Sequence, residues 1–216
     1  MLKTIIRPLW FRVWFSLCFS AVLMGAFPVG SAFAEAEDHY YVSENNTPFF
    51  TGPGMENQVI GLLGENQSLV EVSRDGEWVE VRDSLTELVG WVHESALKVQ
   101  APENLEAMAE QQQEHFEAFE EFYNGVNERV GAAMGQPPFL KIELISGGLA
   151  RITADDSWLA NRRHKMVAFN LHKMWKGASG GVPVVLSFAD KAGVEQFIVI
   201  DGPNRPRYLT PQKDVN

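Results

Sequence analysis

The chain has 216 residues, 45% hydrophobic and 21% charged, with 18 basic against 28 acidic side chains and a net charge of −10. This is the composition of a folded protein with room for one large domain or two small ones. The acidic balance argues against nucleic acid and anionic membrane surfaces as partners, because both would be repelled.

Residues 1–34 stand apart. Lys3, Arg7 and Arg12 occur there without a single acid, an apolar run extends from Val13 to Phe27, and Ala32-Phe33-Ala34 follows. Charged, apolar and small-residue regions in that order predict a secretory signal peptide cut before Glu35. The apolar run is shorter than the roughly 20 residues that span a bilayer, so cleavage is expected and stable membrane insertion afterwards is not. Removing the leader leaves 15 basic against 28 acidic residues, a net charge of −13. Cys18, the single cysteine, leaves with it, so no disulfide is expected and stability must come from packing. The expected location is periplasmic or secreted.

Residues 39–99 hold short apolar runs (Tyr40 to Val42, Pro48 to Thr51, Val59 to Leu63, Leu69 to Val72, Trp78 to Val81, Val89 to Val92). Turn signals such as Gly52-Pro53-Gly54, Gly64-Glu65-Asn66 and Arg74-Asp75-Gly76 separate them. Short strands interrupted this regularly predict a small all-β barrel. Thr51-Gly52-Pro53-Gly54, Val59-Ile60-Gly61-Leu62-Leu63, Ser68-Leu69-Val70-Glu71-Val72, Gly76-Glu77-Trp78-Val79-Glu80-Val81 and Gly90-Trp91-Val92 follow one another in this segment. In order and spacing the segment resembles a bacterial SH3-like (SH3b) domain. Phe50 stands where that family often carries an arginine, so a ligand role for that arginine does not transfer.

The resemblance implies recognition of a peptide, either the cross-linking peptide of peptidoglycan or a segment of another envelope protein. Main-chain hydrogen bonds would fix an extended ligand over an aromatic floor. Tyr40, Tyr41, Phe49, Phe50 and Trp78 are the candidate ligand-binding residues, with core filling as the alternative use of each ring. Strand alternation places Val79 and Val81 on the core face and Trp78, Glu80 and Arg82 on the other, so Trp78 is the expected surface aromatic.

From 102 to 131 the period changes. Leu105, Met108, Gln112, Phe116, Phe119, Tyr123, Val126 and Val130 recur at helical spacing, and Gly131, Gly135 and Pro137-Pro138 end the pattern. Eight glutamates and Arg129 make this an acidic amphipathic helix. Its aromatic stripe packs either on the same chain, where Arg162, Arg163 and Lys165 offer a basic partner, or on a second copy.

Residues 139–202 read β-β-α-β-β and predict a small antiparallel sheet covered by one helix that opens at Asp155-Asp156-Ser157. Residues 203–216 are expected to be a flexible tail. The predicted fold class is thus β plus α+β: an SH3-like barrel, an acidic helical linker and a ββαββ domain.

The search for chemistry returns little. The mature chain has no cysteine nucleophile. His39, His93, His115, His164 and His172 form neither an H-x-H nor an H-E-x-x-H spacing, and no G-x-S-x-G elbow or phosphate loop occurs. Asp155-Asp156 is a compact acid pair whose position alone accounts for it as helix N-terminal. The expectation is a non-enzymatic envelope-binding protein without metal or cofactor. The rivals are a scaffold that oligomerises through 103–130 and a cell-wall-acting enzyme with a dispersed site in 139–202.

Overall fold

The computed structural model describes residues 38–210, so the expected leader, within residues 1–37, and the last six residues lie outside the described chain. It is a mixed α+β structure with two sheets. The first contains β1 (His39–Val42), β2 (Thr47–Phe50), β3 (Val59–Leu63), β4 (Ser68–Asp75), β5 (Trp78–Asp83), β6 (Val89–His93) and β7 (Leu97–Lys98). Their order is β3-β2-β6-β5-β4-β1-β7, and every pair is antiparallel. β4 and β5 meet across Gly76-Glu77, where Gly76 has φ +60°, a conformation that glycine adopts without steric cost. Val42, Phe49, Leu63, Leu69, Val79, Val81 and Val92 fill the interior of this half. Gly90 admits Phe49 to that core, since a Cβ there would stand 2.7 Å from the Phe49 ring and from the Phe50 carbonyl.

The expected barrel does not close: among the described residues no ladder joins β3 to β7. The outer edge of β3 is taken up by the second half of the chain instead. The Leu62 amide donates to the Asp201 carbonyl at 3.1 Å, and the Arg207 guanidinium donates to the Val59 carbonyl at 2.5 Å. A sheet edge needs partners for its N–H and C=O groups, and here another element supplies them.

The helix α1 (Leu105–Met134) ends at Gly135, whose φ of +80° makes the left-handed stop. It buries Phe116, Phe119, Tyr123 and Val126 within its own chain. Their partners are Trp175, 5.2 Å from Phe119 between ring centroids, and Phe139, 5.7 Å from Tyr123. The contact is apolar rather than the expected ionic one: Arg162 and Arg163 are exposed, and Lys165 lies over the Tyr208 ring. Asn127 fastens α1 to the next strand by exchanging two 3.0 Å hydrogen bonds with the backbone of Phe139.

The second sheet is built from β8 (Phe139–Ser146), β9 (Leu149–Ala154), β10 (Val185–Ala189), β11 (Glu195–Ile200) and β12 (Arg207–Leu209), in the order β12-β11-β10-β9-β8. It is mixed, not antiparallel as expected, because β9 and β10 run parallel. The chain between them returns through helices to the end where β9 began, and such a crossover joins parallel neighbours. The single expected helix is two, α2 (Asp156–Leu159) and α3 (His164–Ala178). Asn161 interrupts them: its side chain accepts from the Arg163 amide at 2.9 Å, a local bond that competes with helix continuation.

Residues 207–209 correct the expectation of a flexible tail. They pair with β11 as an edge strand, and Tyr208 stacks on Phe197 at 4.5 Å. The proline-rich run before them turns the chain; it does not release it.

α1 and α3 cover one face of this sheet, around Ile152, Trp158, Leu186, Phe188 and Val199. On the other face Leu149, Val185, Ile198 and Ile200 meet Leu85 and Leu88 from the β5–β6 connection. The two sheets therefore share an apolar contact as well as the hydrogen-bonded edge of β3.

Candidate functional site

Of the five aromatic candidates, the structure brings two together. Trp78 meets Phe50 at 5.4 Å and His93 at 5.2 Å between ring centroids, both T-shaped, on the face of the first sheet that points away from its core. Trp78 is half-buried and Phe50 is buried beneath it. Phe49 does not present its ring as a surface residue: it is 1% exposed and belongs to the core. Tyr40 packs partly on that core, and its hydroxyl accepts from Arg74 at 3.1 Å. Arg74 also pairs with Glu71 and Glu94, each at 3.0 Å. Burial, together with the Glu71 carboxylate, raises the Tyr40 hydroxyl above its ordinary value. Tyr41, half-buried, lies across from Ser68 and Lys98 on neighbouring strands. The five do not form one floor.

A concavity lined in part by Phe49 lies at the seam between the two halves. It is a cleft of about 420 Å³. One wall is the β3–β4 turn with Asn66 and Gln67; the end of α3 with Trp175 and Ser179, and Gln112 of α1, line the cleft as well. Leu62, Leu85, Leu88, Val185 and Ile200 make the apolar part. An apolar pocket with a few convergent polar groups at a junction of substructures is the usual form of a ligand site.

The turn that makes the first wall is held rigidly. Asn66 has φ +64°, its amide donates to the Val42 carbonyl at 2.8 Å, and the Gly64 amide donates to Gln67 Oε1 at 2.9 Å. Gln67 Nε2 in turn donates to Asp83 Oδ1 at 2.7 Å. Asp83, 2% exposed, also accepts from the Leu85 amide at 3.1 Å and the Thr86 hydroxyl at 2.5 Å. Burial pushes its carboxyl up, against these hydrogen bonds, which favour the charged form. Asn66 Oδ1 is buried without a protein partner.

Behind the cleft a buried polar knot ties α3 to the end of β11. Asp201 takes Lys176 Nζ at 2.5 Å and the Val184 amide at 2.9 Å. His172 is fully buried with Nε2 at 3.1 Å from the Val184 carbonyl and 3.7 Å from Asp201 Oδ2. Burial lowers the His172 pKa and Asp201 only partly restores it, so the ring is neutral with Nε2–H donated to Val184. The knot fixes the segment whose Asp201 carbonyl receives the β3 edge. Asp201 and His172 are buried and Lys176 is partly exposed, and together they position the wall. Asp155, the acid of the compact pair, is the N-cap of α2 and bonds Lys191 at 2.6 Å, as its place in the sequence implies.

No protein-family model matches the chain, and no curated protein matches it. The functional reading rests on the geometry.

Of the cleft residues only Phe49 was among the sequence candidates. Asp83 had a visible signal, since alternation along β5 puts it on the core face with Val79 and Val81. Asn66, Gln67, Gln112 and Ser179 had none, because they converge from distant segments.

Proposed function

We propose that this is a periplasmic or secreted binding protein of the bacterial cell envelope that takes a peptide segment into the cleft between its two sheets. The observation that carries the reading is the cleft itself, about 420 Å³ with an apolar floor and carboxamide side chains at its walls. Carboxamides offer donor and acceptor together and so complement a peptide backbone. The leader-like residues 1–34 support the location. The resemblance of 39–99 to SH3b domains, together with its small antiparallel sheet of short strands, supports a peptide as ligand; peptidoglycan stem peptide and an envelope protein segment are the two sources.

Calorimetric titration of residues 35–216 with soluble peptidoglycan stem peptides tests this. Wild-type protein should give saturable heat, and Gln112→Trp, which sets a bulky ring in the cleft lining, should abolish it. The Phe50–Trp78–His93 cluster carries a second reading, recognition on the outer face of the first sheet. Loss of binding in Trp78→Ala with retention in Gln112→Trp would favour that face.

A further inference from the structure

The two sheets have four edges, and three of them are covered or short. β3 is taken up by Asp201 and Arg207, β7 has two residues and β12 three. β8 differs: it is eight residues long, contains no proline and is the last strand of its sheet. Asn127 of α1 takes the Phe139 amide and carbonyl at one end of it. Among the described residues no hydrogen bond reaches its outer side beyond that point. Leu140 and Ile145 are 53% and 41% exposed. Free backbone groups beside exposed apolar side chains form a template for another strand.

The charges of this edge select the strand that fits it. Ile142 and Leu144 pack on the helix-covered core, so alternation puts Lys141 and Glu143 together on the other face, where they pair with each other. Lys141 keeps 65% of its side chain exposed and Glu143 33%. A lysine on an edge ordinarily guards against pairing. Glu143, two residues on, makes the same edge complementary to a copy of itself. Antiparallel pairing of two β8 strands about a two-fold axis at Ile142 sets each Lys141 opposite the other copy's Glu143, and Leu140 opposite Leu144. Opposite charges directly across a strand pair stabilise it, and like charges destabilise it. Moving the axis to Lys141 would oppose lysine to lysine, and moving it to Glu143 would oppose glutamate to glutamate. The charges therefore admit one register.

We propose that the free edge of β8 seats a second copy of this chain, strand against strand, in a weak two-fold dimer whose register is set by Lys141 and Glu143. The dimer is independent of the cleft and its ligand. Its weakness follows from the bulges between Phe139 and Lys141 and between Leu144 and Ser146, which leave a short regular ladder. The acidic α1 of each copy would stand on the same side of the joined sheet, a repulsion screened beyond about 8 Å at physiological salt.

Sedimentation equilibrium of residues 35–216 at about 0.15 M salt tests the proposal. Wild-type protein should pass from monomer toward dimer between about 10 µM and 1 mM. Lys141→Glu and Glu143→Lys each set like charges across the axis and should weaken association by about tenfold or more. An equimolar mixture of the two variants pairs acid with base at both positions, so it should recover wild-type association. That recovery also excludes misfolding as the cause of the losses. Wild-type protein that stays monomeric throughout would overturn the proposal and leave an extended segment of another protein as the occupant of the edge. A dimer indifferent to both substitutions would overturn it too, since the copies would meet elsewhere. A mixture that stays as weak as its components would overturn the register.

Discussion

Val81 and Trp78 lie on one strand and on opposite faces, and their substitutions should part accordingly. Val81 is fully buried, so Val81→Ala should cost about 1–3 kcal/mol in urea unfolding. Trp78→Ala should cost less, because its ring is half-buried. A Trp78→Ala protein that fails to fold would show the outer aromatic cluster to be structural. His172 gives a test by pH. Its folded pKa is depressed, so its contribution to stability is present above the unfolded value of about 6.5 and is lost as pH falls through the folded one. Relative to His172→Gln, which can keep a donor to Val184, wild-type protein should lose stability progressively below about pH 6.5. A difference independent of pH would mean that the ring is not held neutral.

At the scale of elements, α1 and its attachment are the informative case. The aromatic period from Phe116 to Val126 was legible because a helix stripe is a local pattern, and the stripe is buried as a unit. Its partner was not legible. The basic run Arg162-Arg163 suggested charge complementarity, but the stripe meets Trp175 and Phe139, and surface ion pairs contribute little beside apolar burial. Asn127→Ala removes both hydrogen bonds to Phe139 and leaves that backbone unpaired at a partly buried site. It should lower stability by about 1–3 kcal/mol in thermal or urea unfolding. An unchanged midpoint would mean that the aromatic contacts alone fix α1. The same limit of local reading explains the second sheet. Its hairpins β8–β9 and β10–β11 were visible from their turns, whereas the parallel β9–β10 pairing depends on where the intervening helices return the chain.

For the whole molecule, the seam between the sheets matters most, and sequence patterns carry least information about it. Leu62 to Asp201, Val59 to Arg207, and Leu85 and Leu88 on the second sheet are contacts between residues far apart in the chain. None has a period, and the cleft is made where they meet. Asp83, a polar residue on a core face, was a part of the site that alternation could have exposed. Because the seam joins both sheets, residues 35–216 should unfold in one cooperative transition followed alike by circular dichroism and tryptophan emission. Two resolved transitions would mean that the halves fold independently. Location of the ligand decides the account as a whole. Backbone amide resonances of isotope-labelled residues 35–216, followed during titration with a stem peptide, report it residue by residue. The account predicts that the perturbed amides cluster at Gly64, Asn66, Gln112 and Ser179; perturbation confined to Phe50, Trp78 and His93, with those four unmoved, would contradict it.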